Sequence, residues 1–158
     1  MYHLAYHDLL TDLPNRRYFM NRLHEELMKA KRSAGQLAIL IIDLDQFKHV
    51  NDSWGLETGD MILTEVAKRI KNTLRSTDLI ARFGGDEFTV LMTDVSLEEV
   101  ETLAKQIHAS FERPVEIPGK SLNLTCSIGI SHFPKHALDA DSLLNKADTA
   151  LYYVKERS

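Results

Sequence analysis

Ala81-Arg82-Phe83-Gly84-Gly85-Asp86-Glu87-Phe88-Thr89-Val90 places two apolar arms on either side of a glycine pair, and two acids follow the glycines directly. Glycine tolerates positive φ, so Gly84-Gly85 predicts a sharp turn joining Asp78–Phe83 to an antiparallel return over Phe88–Met92. Adjacent carboxylates in such a turn cost stability unless a partner offsets their charge. A divalent metal is the usual partner. The remaining ligands, and whatever the metal holds, must come from elsewhere in the chain.

Upstream, Leu37 to Leu44 is an almost unbroken apolar run, as expected of a central strand covered on both faces. It runs into Asp43-Leu44-Asp45, and the period of two puts both carboxylates on one side of the strand's end. Before it, Pro14-Asn15 marks a turn, with Asn15 as a candidate cap for a helix over Arg16–Lys31. Phe19, Leu23, Leu27 and Ala30 share one face of that helix. Gln46 to Asp60 reads as a polar, glycine-bearing connector, with Trp54 anchoring its middle. Met61 to Leu74 reads as a helix with Ile62, Val66, Ile70 and Leu74 on one stripe.

Downstream, Ser96-Leu97-Glu98-Glu99 is a capping-box pattern. It opens a helix with Leu97, Val100, Ala104, Ile107 and Phe111 inward, stopped near Pro114. Strict alternation over Ser121–Ile130 predicts one strand, with Leu122, Leu124, Cys126, Ile128 and Ile130 on one face. Asp139–Lys155 closes the series as an amphipathic helix with Leu143, Leu144, Ala147, Leu151 and Val154 inward. The order α-β-α-β-β-α-β-α predicts an α/β (α+β sandwich) fold, with a central mixed, largely antiparallel sheet flanked by helices.

The 158 residues suit one domain with a sizeable core, and a net charge of −4 offers no general basic field for nucleic acid or an anionic membrane. A polyanionic ligand must therefore be held by local cations or by metal. The single cysteine, Cys126, excludes an internal disulfide and fits a reducing, cytoplasmic setting. Its apolar surroundings point to a buried structural thiol. The longest apolar run is too short to span a bilayer, and no signal-peptide pattern opens the chain. Residues 1–158 are expected to be one module of a longer protein, whose parent can be membrane-anchored. His132 and His136 flank Pro134, which breaks a helical presentation, and they read as surface residues rather than ligands.

The acids fall in two clusters, Asp43 with Asp45 and Asp86 with Glu87. Neighbouring strands would bring them to one end of the sheet. Hard oxygen donors suit Mg²⁺ or Mn²⁺, and Mg²⁺ keeps open positions for phosphate oxygens. Two such ions could support in-line displacement at phosphorus, one at the attacking hydroxyl and one at the leaving phosphate. The bland alternative is a set of solvated turn acids.

Gly84-Gly85-Asp86-Glu87-Phe88 resembles the signature of the GGDEF family, the diguanylate cyclases. Four further stretches match that family in order. They are Asp8–Arg17, Ile42–Asp52, Ser127-Ile128-Gly129-Ile130 and Ala147–Lys155. The resemblance implies a fold related to nucleotide cyclases and polymerase palms, and condensation of two GTP into cyclic di-GMP with release of pyrophosphate. It implies Mg²⁺ (or Mn²⁺), with two ions per site, bound by Asp43, Asp86 and Glu87 through side chains and by Leu44 through its carbonyl. Asp86 matches the position given the base role toward the 3′-hydroxyl, and a metal-bound alkoxide is an equal account of that proton loss. Backbone N–H groups around Phe47 and Lys48 would cradle phosphate. Lys48 and Lys155 would add charge to the triphosphate, and Asn51 with Asp60 would read guanine. Bland rivals exist: Asn51 as an Asx turn, Asp60 as a helix cap, and both lysines as solvated charges. Arg75-Ser76-Thr77-Asp78 matches the family's R-x-x-D inhibitory site for cyclic di-GMP.

The chain departs from the family's pattern at Leu56, where a histidine usually follows the loop glycine. It departs again after Lys155, where the family continues with a glycine and a basic residue and Glu156-Arg157-Ser158 stops short of that pattern. One domain would hold one GTP, so turnover implies a homodimer. A non-catalytic GTP or cyclic di-GMP binding module regulating an attached domain, such as a phosphodiesterase, is the alternative. A purely structural dimerisation domain leaves the clustered acids unexplained.

Overall fold

A computed structural model describes residues 5–157. Residues 1–4 and Ser158, the ends of the expected domain, lie outside the described residues. The elements are α1 Arg16–Ser33, β1 Leu37–Leu44, α2 Phe47–Trp54, α3 Leu56–Thr73, β2 Leu79–Gly84 and β3 Glu87–Thr93. Then follow α4 Leu97–Ser110, β4 Val115–Ile117, β5 Lys120–Leu122, β6 Cys126–Phe133 and α5 Ala140–Glu156.

The main sheet has the order β2-β3-β1-β6, and every pairing in it is antiparallel. β1 lies inside the sheet, which explains its apolar run. Ala38, Leu40, Ile42 and Leu44 face α3 and α4, where they meet Ile62, Val66, Ile70, Val100 and Ile107. Leu37, Ile39 and Ile41 face α1 and α5, where they meet Phe19, Leu23, Leu143 and Leu151. Asp43 follows the second set by the period of two, so it emerges on the α1/α5 side.

The caps expected at Asn15 and Ser96 form, and Asp139 supplies another. Asn15 accepts from the Tyr18 N–H at 3.1 Å, and Ser96 and Glu99 form the reciprocal capping box. Asp139 accepts from the Ser142 N–H at 2.8 Å.

Four expectations change. Gln46–Asp60 is helical rather than a connector: Gly55, at φ 91, separates α2 from α3, and Asp60 lies inside α3 instead of capping it. The continuous strand over Ser121–Ile130 divides, because β5 pairs with β4 in a separate two-stranded sheet. The Thr125 carbonyl turns instead to the Asp45 N–H at 3.0 Å. Val154, expected inward, is 40% exposed, and Trp54, expected to anchor a loop, is 49% exposed as the last residue of α2. The Lys120 ammonium covers the Trp54 ring at 4.2 Å. His132 is buried, with Nε2 against the Val95 carbonyl at 3.0 Å, whereas His136 is exposed. Cys126 is buried, and its thiol is pushed up to about 12, first by burial and then by Asp45.

Candidate active site

The β2–β3 hairpin is closed by Gly85 and Asp86, with Gly84 paired to Glu87. Gly84 at φ 142 and Gly85 at φ 49 both occupy backbone that L side chains rarely adopt. Arg82 fastens this turn. Its Nε and Nη2 donate to the Gly85 carbonyl at 3.0 and 2.8 Å, and its Nη1 donates to Asp8 at 3.0 Å. Asp8 also accepts from the N–H and hydroxyl of Thr11. These bonds hold its carboxyl below the usual range against the opposing effect of burial. The turn is thereby joined to the segment that precedes α1. The entry motif carried no such role in the sequence, because its partner Arg82 is 74 residues away.

Register brings the two acidic clusters together. Asp43 is directly opposite Glu87 across β1 and β3, and the Leu44 N–H points to the Asp86 carbonyl at 3.4 Å. Burial is the main cause that raises the Asp43 carboxyl to about 6, and hydrogen bonding and repulsion from Asp86 add to it; Lys155 opposes. Glu87 is raised by burial, then by Asp43 and Asp148. Asp43 Oδ1 is buried with no hydrogen-bond partner. Among the described residues, no three His, Cys, Asp or Glu side chains converge on one point as a complete cation cage. An incomplete carboxylate set with an orphaned oxygen fits Mg²⁺, which takes one or two carboxylates and completes its shell with water and phosphate.

Asp45 has a different fate. Its two oxygens accept from the Thr125 and Ser127 hydroxyls, both at 2.6 Å. Lys155 Nζ lies between the two aspartates, 3.3 Å from Asp43 Oδ2 and 3.6 Å from Asp45 Oδ1. Gly129 permits this: a Cβ there would collide with the Ala147 carbonyl and the Leu151 N–H, so α5 lies directly on β6. Lys155, one turn beyond Leu151, then reaches the strand end.

Beyond Asp45 the chain turns through Gln46, at φ 58, into α2. The first α-type bond there runs from the Val50 N–H to the Gln46 carbonyl at 3.3 Å. The N–H groups of Phe47, Lys48 and His49 therefore have no partner one turn back, and a helix start of this kind attracts anions. Phe47 is buried as an anchor, and Lys48 is exposed. Asn51 Oδ1 is buried and unpartnered. It lies against Gly59, where any Cβ would strike it. Asp60, the next residue, lines a pocket of about 280 Å³ with Leu10, Met61 and Pro118.

Arg75 and Asp78 meet at a separate place. Arg75 Nε and Nη2 donate to Asp78 Oδ1 at 3.0 and 2.8 Å, and Nη2 also reaches the Thr93 carbonyl. Asp78 Oδ2 takes the Arg75 N–H at 2.8 Å. The bond to Asp78 chiefly raises the guanidinium further. A cavity of about 270 Å³ opens beside them, bordered by Glu99, Thr102 and Gln106.

The family model for the diguanylate cyclase GGDEF domain matches residues 5–158. The chain belongs to the GGDEF family. This GGDEF domain is 42% identical over 158 residues to the diguanylate cyclase TpbB of Pseudomonas aeruginosa, covering 99% of this chain and 36% of that protein. It is 39% identical over 152 residues to the diguanylate cyclase DosC of Escherichia coli K12, covering 95% of this chain and 33% of that one. The chain thus spans about a third of the length of these relatives. The solved GGDEF domain of TpbB superposes with a TM-score of 0.94 at 42% identity, covering 96% of this chain and 90% of that one. The GGDEF domain of DgcB from Caulobacter crescentus, in complex with c-di-GMP, superposes at 0.89 with 29% identity, covering 98% and 92%.

Proposed function

We propose that this GGDEF domain is a catalytically competent diguanylate cyclase module of a longer protein. It would condense two GTP into cyclic di-GMP and pyrophosphate in a homodimer. The observation that carries the reading is the orphaned, raised Asp43 carboxylate, set against Asp86 and Glu87 at the end of β1. Solvated turn acids would be neither half-buried nor short of partners.

In this reading Asp43, Asp86, Glu87 and the Leu44 carbonyl hold Mg²⁺ or Mn²⁺, with two ions per site. Bound there, the cations would supply Lewis-acid stabilisation of the phosphate charge and of the attacking 3′-oxygen. The protein's own groups do the rest. Free N–H groups at the start of α2, with Lys48, hold phosphate oxygens. The Asn51 amide and the Asp60 carboxylate pair with guanine's N1, N2 and O6, which adenine would leave unsatisfied. Lys155 balances the triphosphate. Asp86 would take the proton of the 3′-hydroxyl, a loss that a metal-bound alkoxide would explain equally well. Arg75 and Asp78 form the product-inhibition site, since the guanidinium fork suits a guanine edge or a phosphate.

Incubating an enforced dimer with GTP and Mg²⁺, followed by product chromatography, tests the reading. Cyclic di-GMP is the expected product. GTP binding with no cyclic di-GMP formed, even with Mn²⁺, would leave a binding module that regulates an attached domain.

A further inference from the structure

Lys155 occupies a position that its expected task does not explain. An ammonium reserved for a triphosphate would have no need of two protein carboxylates, yet Lys155 Nζ is 3.3 Å from Asp43 and 3.6 Å from Asp45. The two carboxylates differ. Asp45 is held at both oxygens by the Thr125 and Ser127 hydroxyls, each at 2.6 Å. Asp43 has Lys155 on Oδ2 and nothing on Oδ1, and it lies against Asp86. Its negative charge is therefore offset mainly by the lysine. The seat is built from the backbone upward, because Gly129 lets α5 close on β6 and sets Lys155 at this height.

We infer that Lys155 is a resident counter-ion that exchanges with the divalent cation at Asp43. This rests on the metal-and-GTP reading above and extends it. A divalent cation on Asp43 would lie only a few ångströms from the ammonium, and like charges at that distance repel strongly. Lys155 then leaves Asp43, keeping Asp45 as its anchor, and its freed N–H donors turn to the phosphates that arrive with the metal. Asp45 is thus a second seat that limits how far the lysine moves. The exchange offsets the charge of Asp43 before loading and presents the ammonium to nucleotide only after loading.

Two measurements on the intact chain, without nucleotide, test this. Mn²⁺ affinity is read by electron paramagnetic resonance for wild type, Lys155→Met and Asp43→Asn. Removing the competing ammonium is expected to tighten Mn²⁺ binding about threefold, the scale of a partly exposed ion pair. Asp43→Asn should abolish binding at that site. In parallel, the acetylation rate of Lys155 is followed by mass spectrometry on wild type and Asp43→Asn. Mg²⁺ should speed labelling severalfold in wild type and leave Asp43→Asn unchanged. Faster labelling in wild type alone separates exchange from a general charge effect. Mn²⁺ binding that depends on Asp43, with Lys155 labelling indifferent to Mg²⁺, overturns the exchange. Mn²⁺ binding indifferent to Asp43→Asn removes instead the metal reading beneath it.

Discussion

Asp43 lies half-buried beside Asp86, its carboxyl pushed up to about 6 by burial first and by that neighbour second. The unperturbed aspartate value is 3.8, so the folded chain takes up a proton that the unfolded chain releases between those two values. The stability this proton confers is complete below the lower value and is lost as pH rises to about 6. The melting temperature of the metal-free domain should therefore fall across that window. Asp43→Asn should flatten the fall and raise the melting temperature at neutral pH, while eliminating cyclic di-GMP formation. Scanning fluorimetry from acid to neutral pH decides it, and an equal slope in the variant would refute the account. At this scale the sequence was informative about type and uninformative about partners. Asp43 and Asp45 look alike in Asp-x-Asp, and only the arrival of Thr125 and Ser127, 80 and 82 residues later, gives one a hydroxyl at each oxygen and leaves the other short of a partner.

Among elements, the contact of α5 with β6 positions the site. Gly129→Ala would place a methyl group into the Ala147 carbonyl and the Leu151 N–H. The backbone there has no flexible side chain to yield, so α5 must shift. A loss of about 1–3 kcal/mol is expected from overpacking, read as a lower urea midpoint, together with a raised KM for GTP as Lys155 moves from the acids. An unchanged KM in a destabilised variant would separate the packing from the site. A glycine in an alternating strand is visible in the sequence, but the helix it accommodates is not. The division of Ser121–Ile130 has a similar cause. Its alternation runs on without a break, while Pro118-Gly119 folds β5 back on β4 and Asp45 claims the Thr125 carbonyl. Side-chain period reports which face is covered and is silent about which neighbour a strand pairs with. The polar composition masked α2 and the first turn of α3, because Asn51 and Asp52 are poor helix formers and tertiary contacts overrode that preference.

For the whole molecule, the proposed reaction joins two nucleotides while one domain would hold one, so it would need two copies. Specific activity should rise with protein concentration until dimers saturate. Activity per domain independent of dilution would contradict the two-copy requirement. Arg75→Ala should weaken cyclic di-GMP binding at least tenfold, the scale of a charged fork removed, and leave GTP binding unchanged, as calorimetry with each nucleotide would show. Equal product affinity in the variant would remove the inhibitory assignment. Among the described residues no helix is long and apolar enough to cross a membrane. The sequence by itself determined the family, the strands and helices that carry the long apolar patterns, the caps, and the acid types at the sheet's end. Those are local properties, written in residue identity and period. Tertiary structure alone decided that Asp43 faces Glu87, that Lys155 bridges two aspartates, that Arg82 ties the turn to Asp8, and that Gly59 makes room for Asn51. Each of these joins groups that the chain separates, and their distances follow from how the sheet and helices close on one another.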